Sequence, residues 1–352
     1  INPTEIENAL RENGVEDPYI IPVDDLHLGQ KSLLFYRGER TPSETKLLIR
    51  DILSSHKRPR HIVKVPDCAF DGIKIKKSIL KDLAPHFARL DQAHEIIPFK
   101  THGDPRNPWI ILIHGFMGDK SDWNEVSSLL KSNYFIVAID TPGHGESLCS
   151  MDMSLEKFQM VFNEFSKTIQ TPFHLLGYSQ GGRIALGLVL RGIEVKSLIL
   201  ESASLGIVDT DERERRYQAD LKMFKNISSP KELREFLTYW YENPLFGELK
   251  NHLNFQKLLD HKEQSNWHLW QESLKSFSVG IQPDYRIALS RLKGLRALTI
   301  CGEHDHKYLA ASKEMETSFN FEYSMIKNSS HNTHFEAPKA FAEAVSNFLK
   351  IR

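Results

Sequence analysis

A serine stands between small residues in the stretch Gly-Tyr-Ser-Gln-Gly at residues 177–181, directly after the apolar run 173–176. A serine hydroxyl is almost inert until a neighbouring imidazole can accept its proton. Glycines on both sides permit a tight strand-to-helix turn, which lifts the serine oxygen above the edge of a sheet. The stretch therefore predicts a nucleophile elbow with Ser179 as the reactive residue. An ordinary strand–helix turn is the alternative.

An acid and a histidine follow the serine in the order that such an elbow needs. Asp305 comes just after the apolar run 297–300, and His331 stands in a Ser-Ser-His-Asn stretch ahead of a final helix. A carboxylate fixes the imidazole tautomer and stabilises its charged form. We therefore predict a catalytic triad of Ser179, Asp305 and His331, each at the carboxyl end of a strand.

The loop after the first strand of this region has the sequence His-Gly-Phe-Met-Gly at residues 114–118. A backbone N–H from Phe116 could pair with that of Gln180 to form an oxyanion hole, although a simple glycine-containing turn is the alternative. A metal centre is the competing chemistry, because four histidines cluster late in the chain: His304, His306, His331 and His334. The helical His-x-x-x-His spacing is missing, so we predict no metal site.

The elements that must position these residues follow a regular pattern from Trp109 onward. Short apolar runs alternate with glycine-rich loops and helices, at residues 109–113, 134–139, 173–176, 197–200 and 297–300. Runs that are apolar on both faces suit a parallel sheet between layers of helices. Residues 209–281 are helical, charged and rich in aromatic side chains instead, which an inserted cap explains. The pattern predicts an α/β-hydrolase fold with a mostly parallel sheet and a helical cap.

The first part of the chain predicts a separate small α+β domain. We expect helices at residues 3–13, from residue 43 and at 75–83, and strands at 19–22, 32–36 and 61–65. A polar, turn-rich stretch at residues 101–108 leads into the next region. Since 352 residues suit two domains, we divide the chain into residues 1–94 and 95–352.

The composition argues against several classes of function. The net charge is -1, so nothing globally favours nucleic acid or an anionic membrane as a partner. Cys68, Cys149 and Cys301 are too scattered for a disulfide framework or a zinc knuckle, which fits a reducing cytoplasm. No apolar run reaches the roughly 18 residues that span a bilayer, and no secretory leader opens the sequence. We therefore expect a cytoplasmic protein.

Several stretches of residues 95–352 together resemble one enzyme family. They are residues 114–119 with Trp123, 140–147, 177–183, 201–206, 212–216, 240–246 and 282–284. The region resembles MenH, the 2-succinyl-6-hydroxy-2,4-cyclohexadiene-1-carboxylate synthases of menaquinone biosynthesis. The Trp-Tyr-x-x-Pro-x-Phe element at residues 240–246 separates the chain most clearly from generic esterases.

The resemblance implies a lyase that needs no cofactor. This family eliminates pyruvate from 2-succinyl-5-enolpyruvyl-6-hydroxy-3-cyclohexene-1-carboxylate by abstracting a proton. Ser179, activated by His331, would be the base, and the oxyanion hole would hold the developing enolate charge. A carboxylester or carbon–carbon bond hydrolase is the alternative, because the triad is shared across the fold.

A small anionic substrate needs cations, and the resemblance supplies candidates. Arg183 and Arg216 fall on family arginines that bind carboxylates, and a guanidinium can grip a carboxylate with two hydrogen bonds. Tyr178 and Trp240 match family pocket positions, and Lys262 aligns with a third family arginine. A lysine offers a point charge rather than a fork at that position.

Each of these assignments has an alternative. Arg183 could be a salt-bridged helix residue, and Trp240 could belong to the core of the cap. Arg216 could be a solvated charge, with its neighbour Arg215 in the binding role. The leucine that usually follows the serine in the family is Gln180 here, which leaves the backbone donor intact.

The first segment resembles a different family, the C-terminal lid of adenylate-forming acyl-CoA ligases, particularly o-succinylbenzoate–CoA ligase (MenE). The matching stretches are residues 1–10, 15–17, 22–30, 57–60 and 72–76. The resemblance implies that Lys74 reaches the acyl phosphate during adenylation, whereas a solvated cation in a basic stretch is the alternative.

A lid needs the large ligase domain, whose nucleotide loop rich in Thr, Ser and Gly is missing from these residues. The sequence begins with Ile1 rather than Met. We therefore expect the chain to be cut from a longer ligase–synthase fusion, with an adenylating ligase domain in cis. A non-catalytic module that docks a separate ligase domain in trans is the alternative.

Overall fold

The computed structural model describes residues 2–25, 29–71, 74–148 and 153–350. Cys149, Ile1 and parts of two lid-like stretches, at residues 26–28 and 72–73, lie outside these ranges. The chain divides into two compact units. The first contains Ile1–Ile96 with the short segments Gly103–Asn107 and Lys167–Gln170, and the second contains the remaining residues.

The first unit is a small α+β structure. Its elements are α1 (Pro3–Glu12), β1 (Glu16–Asp25), β2 (Gly29–Arg37), α2 (Pro42–Ile52), β3 (His61–Lys64), β4 (Phe70–Asp71), β5 (Lys74–Ile75) and α3 (Lys77–Ile96). β1 and β2 pair antiparallel, and β3 joins β2 in parallel. α2 begins with a capping box between Thr41 and Glu44, which satisfies backbone donors at its first turn.

The last helix of this unit corrects the prediction of a helix over residues 75–83. Ile75 belongs to β5, and α3 runs from Lys77 to Ile96 with Pro85 inside it. The apolar face continues beyond the proline with the buried Leu90 and Ala93. Their burial outweighs the single backbone hydrogen bond that the proline removes.

The second unit is built on one large sheet flanked by helices. Its strands are β6 (Phe99–His102), β7 (Trp109–Ile113), β8 (Phe135–Ile139), β9 (Phe173–Tyr178), β10 (Ser197–Glu201), β11 (Ala297–Gly302) and β12 (Glu322–Ile326). Its helices are α4 (Asn124–Leu130), α5 (Leu155–Ile169), α6 (Gln180–Leu190), α7 (Thr210–Asp220), α8 (Pro230–Trp240), α9 (Phe255–Glu263), α10 (Trp270–Phe277), α11 (Arg286–Arg291), α12 (His306–Phe319), α13 (Thr333–Glu336) and α14 (Pro338–Lys350).

The seven strands lie in the order β12-β11-β10-β9-β7-β8-β6. All neighbours pair in parallel except β6, which is antiparallel to β8. The five central strands are buried along their whole length apart from His174, and each coincides with a predicted apolar run. The mostly parallel sheet between helices confirms the predicted fold class.

The sequence analysis did not predict the two edge strands, β6 and β12. Thr101 and His102, expected in a turn-rich stretch, belong to β6, and β12 was not predicted. Both strands are polar and partly exposed, so their sequences lack the apolar signal of a buried strand. Their hydrogen bonds to β8 and β11 define them instead.

A helical segment from α7 to α10 interrupts the alternation of strands and helices. It has its own apolar cluster, in which Leu233, Leu237 and Trp270 are fully buried. Met117, from the loop after β7, belongs to the same cluster. None of the described helices is both long enough and apolar enough to cross a membrane.

Candidate active site

Ser179 occupies a strained turn between β9 and α6. Its φ is 50° and its ψ is -109°, a conformation that non-glycine residues rarely adopt. A Cβ added at Gly181 would lie 2.3 Å from the carbonyl oxygen of His114, so only glycine fits this close approach. The backbone N–H of Ser179 donates to the carbonyl oxygen of Glu201 at 2.8 Å. The turn therefore has the geometry that the elbow sequence predicts.

The structure brings the three predicted triad residues together. His331 Nε2 lies 2.9 Å from Ser179 Oγ, and His331 Nδ1 lies 2.7 Å from Asp305 Oδ2. Asp305 and His331 are almost completely buried, whereas Ser179 is half-buried. Asp305 follows β11 and caps α12. This arrangement lets the imidazole accept the serine proton while the carboxylate stabilises the resulting imidazolium.

Ser179 opens onto a cavity of about 370 Å³. Nine of the predicted site residues line it: Phe116, Tyr178, Ser179, Gln180, Arg183, Arg216, Trp240, Lys262 and His331. Asp305 lies behind His331, away from the cavity lining. Lys74 belongs to the first unit, is exposed on β5 and is not among the residues that line this cavity.

The loop at residues 114–118 faces the elbow. No hydrogen bond joins the backbone N–H of Phe116 or Gln180 to another described residue. The next amide, of Met117, instead donates to His144 Nε2 at 3.2 Å. Burial holds the pKa of His144 well below its ordinary value, so this imidazole is a neutral acceptor. The two open amides can therefore receive an oxyanion.

Arg183 carries its charge beside Ser179 without a carboxylate partner among the described residues. Its Nη1 donates to the carbonyl oxygen of Phe277 at 3.1 Å and to Gln282 Oε1 at 2.8 Å. Burial lowers the pKa of Arg183 to about 10, which still leaves it cationic at neutral pH. Since the salt-bridge alternative is absent, the guanidinium is available to an anionic ligand.

Arg216 also lines the cavity, whereas Arg215 is exposed on α7. Arg216 Nε donates to Asp220 Oδ1 at 2.9 Å, and Ser278 donates to the other oxygen of that carboxylate. These contacts orient the guanidinium through Nε, and its side chain is 39% exposed. The structure thus places Arg216, rather than Arg215, at the cavity.

Lys262 is almost completely buried at the base of the cap. Its Nζ donates to the carbonyl oxygen of Met117 at 2.8 Å and lies 3.8 Å from Asp122 Oδ2. Burial opposes its charge, but Asp122 and other acidic neighbours outweigh burial and raise the pKa of Lys262. The lysine therefore remains charged. It links α9 to the loop at residues 114–119, which is called the oxyanion loop below.

A second contact joins the same helix to the same loop. His261 Nε2 lies 2.7 Å from Asp119 Oδ2. Atoms of Asp119, Asp122 and His261 all lie within 4.8 Å of one another, a spacing compatible with a metal ion. The ammonium of Lys262 already neutralises Asp122, and this lowers the attraction of the group for a cation.

Several residues of the cavity were missed by sequence reasoning, and two of them stand close to the predicted acid and base. Tyr308 lies three residues after Asp305, and its ring centroid is 4.6 Å from that of His331. Asn332 follows His331 directly, and its buried Oδ1 has no hydrogen-bond partner among the described residues. Both line the cavity. The only available signal was their position next to the predicted acid and base.

Several proteins of known function are similar to this chain in sequence. A 2-succinyl-6-hydroxy-2,4-cyclohexadiene-1-carboxylate synthase of Escherichia fergusonii is 29% identical over 255 residues, which cover 71% of this chain and 97% of the relative. The corresponding synthase of Escherichia coli strain K12 is 28% identical over 256 residues, with the same coverage of both chains.

Two solved structures are similar to the second unit of this chain. MenH from S. aureus superposes with a TM-score of 0.66 at 26% identity, covering 72% of this chain and 97% of that one. The enol-lactonase of Burkholderia xenovorans LB400 has a TM-score of 0.59 at 18% identity, covering 72% and 96%, and supports the fold alone. A sequence profile described as the alpha/beta hydrolase family matches residues 110–344. Because this match spans more than half of the sequence, the chain belongs to the alpha/beta hydrolase family.

Proposed function

We propose that the second unit is a 2-succinyl-6-hydroxy-2,4-cyclohexadiene-1-carboxylate synthase, a lyase of menaquinone biosynthesis. The observation that carries the proposal is the unpaired charge of Arg183 in the cavity that Ser179 and His331 line. A neutral ester offers no ionic partner to a partly buried guanidinium that lacks a carboxylate, whereas a carboxylate substrate does. The relatives named as this synthase support the same reaction.

The reaction follows from the structures of substrate and product. Ser179, its proton taken by His331, removes the C2 proton next to the succinyl carbonyl. The electron pair forms a C2–C3 double bond, the ring double bond moves to C4–C5, and the C5–oxygen bond breaks. The departing enolpyruvate takes up a proton to become pyruvate. The transient negative charge on the succinyl carbonyl oxygen would be held by the amides of Phe116 and Gln180.

The substrate carries three carboxylates, on the succinyl arm, the ring and the enolpyruvyl group. Four cations, Arg183, Arg216, Lys262 and Lys307, line the cavity together with the acidic Asp122 and Asp220. Arg216 contacts Asp220 and Lys262 lies near Asp122, so Arg183 is the cation beside Ser179 that is open to a carboxylate. A fixed cation can position a carboxylate of the substrate.

The test is to supply the enolpyruvyl substrate and follow two products, pyruvate by a coupled assay and the conjugated diene by its absorbance. We expect wild type to form both in equal amounts. Ser179→Ala should reduce the rate by about 1000-fold or more, since it removes the base. A wild type that leaves the substrate intact would contradict the proposal.

A serine hydrolase is the second candidate, and the triad geometry is the observation that favours it. The same 2.9 Å and 2.7 Å contacts would activate Ser179 as a nucleophile toward an ester or a carbon–carbon bond. The two functions separate on substrate charge. Strong esterase activity on neutral esters, with no pyruvate release, would select the hydrolase.

We further propose that the first unit is the lid of an o-succinylbenzoate–CoA ligase and that the chain comes from a ligase–synthase fusion. The motifs of residues 1–94 and the exposed position of Lys74 support this. Adding the chain to a ligase that lacks its own lid should restore adenylation, and Lys74→Ala should abolish the effect. A start codon just upstream of Ile1 would contradict the fusion.

A further inference from the structure

The side chain of Gln180 is buried without hydrogen bonds at the centre of the candidate site. The residue is 2% exposed. Its Oε1 and Nε2 both lack a hydrogen-bond partner among the described residues. Gln180 also lines the cavity that contains Ser179. This position follows the reactive serine directly, at the first residue of α6.

An unsatisfied carboxamide is costly in a folded protein. Burying a polar group without a partner costs about 1–3 kcal/mol, and Gln180 leaves both a donor and an acceptor unmade. The family that the sequence resembles usually has leucine here, so the elbow itself does not require an amide. Oε1 and Nε2 are shielded from solvent. A small shift of the side chain toward the cavity that Gln180 lines would let hydrogen bonds with a bound substrate recover this cost.

We propose that the Gln180 carboxamide contacts the substrate and is a specificity-determining group of this enzyme. The proposal rests on the synthase function. Nε2 donates to the anionic carbonyl oxygen that the backbone amides of Phe116 and Gln180 also hold. Oε1 needs a donor, and at neutral pH the ring hydroxyl is the only O–H group of the proposed substrate. Gln180 therefore accepts a hydrogen bond from that hydroxyl.

The variant Gln180→Leu tests this role through the rate, because only a contact with the substrate predicts that pyruvate release slows while stability rises. Removing an unsatisfied amide should raise Tm by a few degrees, whatever its role. If the amide contacts the substrate, kcat/KM for pyruvate release should fall about 10- to 100-fold. Gln180→Met, which preserves the length of the side chain, should behave in the same way.

Ser127→Ala is the matched control. Ser127 Oγ is also buried without a partner among the described residues, but it lies on α4 and outside the cavity lining. Its replacement should raise Tm in the same way and leave kcat/KM unchanged.

A substrate analogue without the ring hydroxyl tests the hydroxyl contact. Wild type should lose activity on the analogue, and Gln180→Leu should lose about tenfold less, because its contact is already absent. Equal losses for the two proteins would overturn the hydroxyl contact.

Two other results separate the role of Gln180 from the synthase function. Full pyruvate release by Gln180→Leu and Gln180→Met, with raised Tm, would overturn the role of Gln180 and leave the synthase function standing. A wild type that releases no pyruvate would overturn the synthase function itself.

Discussion

Ser179 shares its cavity with two arginines, Arg183 and Arg216. Arg183 is held by two neutral oxygens, of Phe277 and Gln282, and these fix its direction without cancelling its charge. Arg216 keeps Asp220 as a partner through Nε. The site thus places a serine–histidine pair beside cations, and a cation can bind an anionic group through charge-assisted hydrogen bonds.

Replacing Arg183 should therefore affect substrates according to their charge. Arg183→Met is expected to lower kcat/KM for the enolpyruvyl substrate by about 100-fold, because a charge-assisted contact is lost. Hydrolysis of a neutral nitrophenyl ester should change by less than about threefold. Steady-state kinetics on both substrates provide the measurement.

Arg191→Met is the control for this experiment. Arg191 ends the same helix, where it pairs with Glu156 and does not line the cavity. The variant Arg191→Met should leave both rates unchanged. Equal losses on the charged and the neutral substrate with Arg183→Met would contradict the binding role.

The triad could be predicted from the sequence, because a serine, an acid and a histidine stand at positions that the fold brings together. The distances among Ser179, Asp305 and His331 agree with that prediction. The unpaired state of Arg183 and the unsatisfied amide of Gln180 depend on which side chains surround them. Contacts between residues far apart in sequence decide this, so neither could be predicted from a local motif.

At the scale of elements, the elbow depends on the close approach of α6 to β7. A Cβ on Gly181 would lie 2.3 Å from the carbonyl oxygen of His114 and 2.4 Å from that of Ile113. Backbone atoms would have to move, so Gly181→Ala should destabilise the protein by about 1–3 kcal/mol. The shift would also misplace the oxyanion loop and lower kcat by about 100-fold. Denaturation and kinetics measure the two effects.

Gly192, just beyond the other end of α6, provides the comparison. Its φ is +95° and nothing lies within 4 Å of an added Cβ. Gly192→Ala should cost about 1 kcal/mol through backbone strain and leave kcat intact. If Gly181→Ala retained full kcat, the close approach would not matter for catalysis.

The contact between α9 and the oxyanion loop should depend on pH. The hydrogen bond to Asp119 raises the pKa of His261 above its ordinary 6.5, against the effect of burial. Burial opposes ionisation of Asp119, but the hydrogen bonds from His261 and Ser121 lower its pKa below 3.8. The ion pair between His261 and Asp119 therefore stabilises the fold most between about pH 3.8 and pH 6.5, the ordinary pKa values of the two groups.

The sign follows from linkage. A raised histidine pKa gives stability that is complete below about pH 6.5 and is lost as the pH rises through the raised pKa. The Tm advantage of wild type over His261→Gln should therefore shrink between about pH 6 and pH 9. His268→Gln, at an exposed histidine of the same cap, should show no such trend. A constant difference between wild type and His261→Gln would rule out the pair as the cause.

Strands could be predicted where burial on both faces gives a continuous apolar run, but not at the edges of the sheet. The apolar runs of β7 to β11 were identified, but the polar β6 and β12 were not. In the first unit, α3 continues past Pro85 because Leu90 and Ala93 are buried. In each case tertiary contacts, rather than local sequence preference, define the element.

At the level of the whole molecule, the candidate active site around Ser179 lies in one of two compact units. All predicted site residues except Lys74 belong to the second unit. A protein consisting of residues 97–352 retains all of these site residues, although its segments Gly103–Asn107 and Lys167–Gln170 cluster with the first unit. Once circular dichroism shows that this protein is folded, its kcat for pyruvate release should lie within about twofold of that of the full chain. Lys74→Ala in the full chain should also leave this rate unchanged. A folded second unit with less than a tenth of the activity would show that the first unit contributes to the reaction.

The central claim is that Ser179 acts as a base, driven by His331, in the elimination of pyruvate. The most direct measurement is the rate of pyruvate and diene formation from the enolpyruvyl substrate by wild type and Ser179→Ala. We expect wild type to form the two products one-to-one and Ser179→Ala to be slower by about 1000-fold or more. Ester hydrolysis that depends on Ser179, without release of pyruvate from the enolpyruvyl substrate, would contradict it.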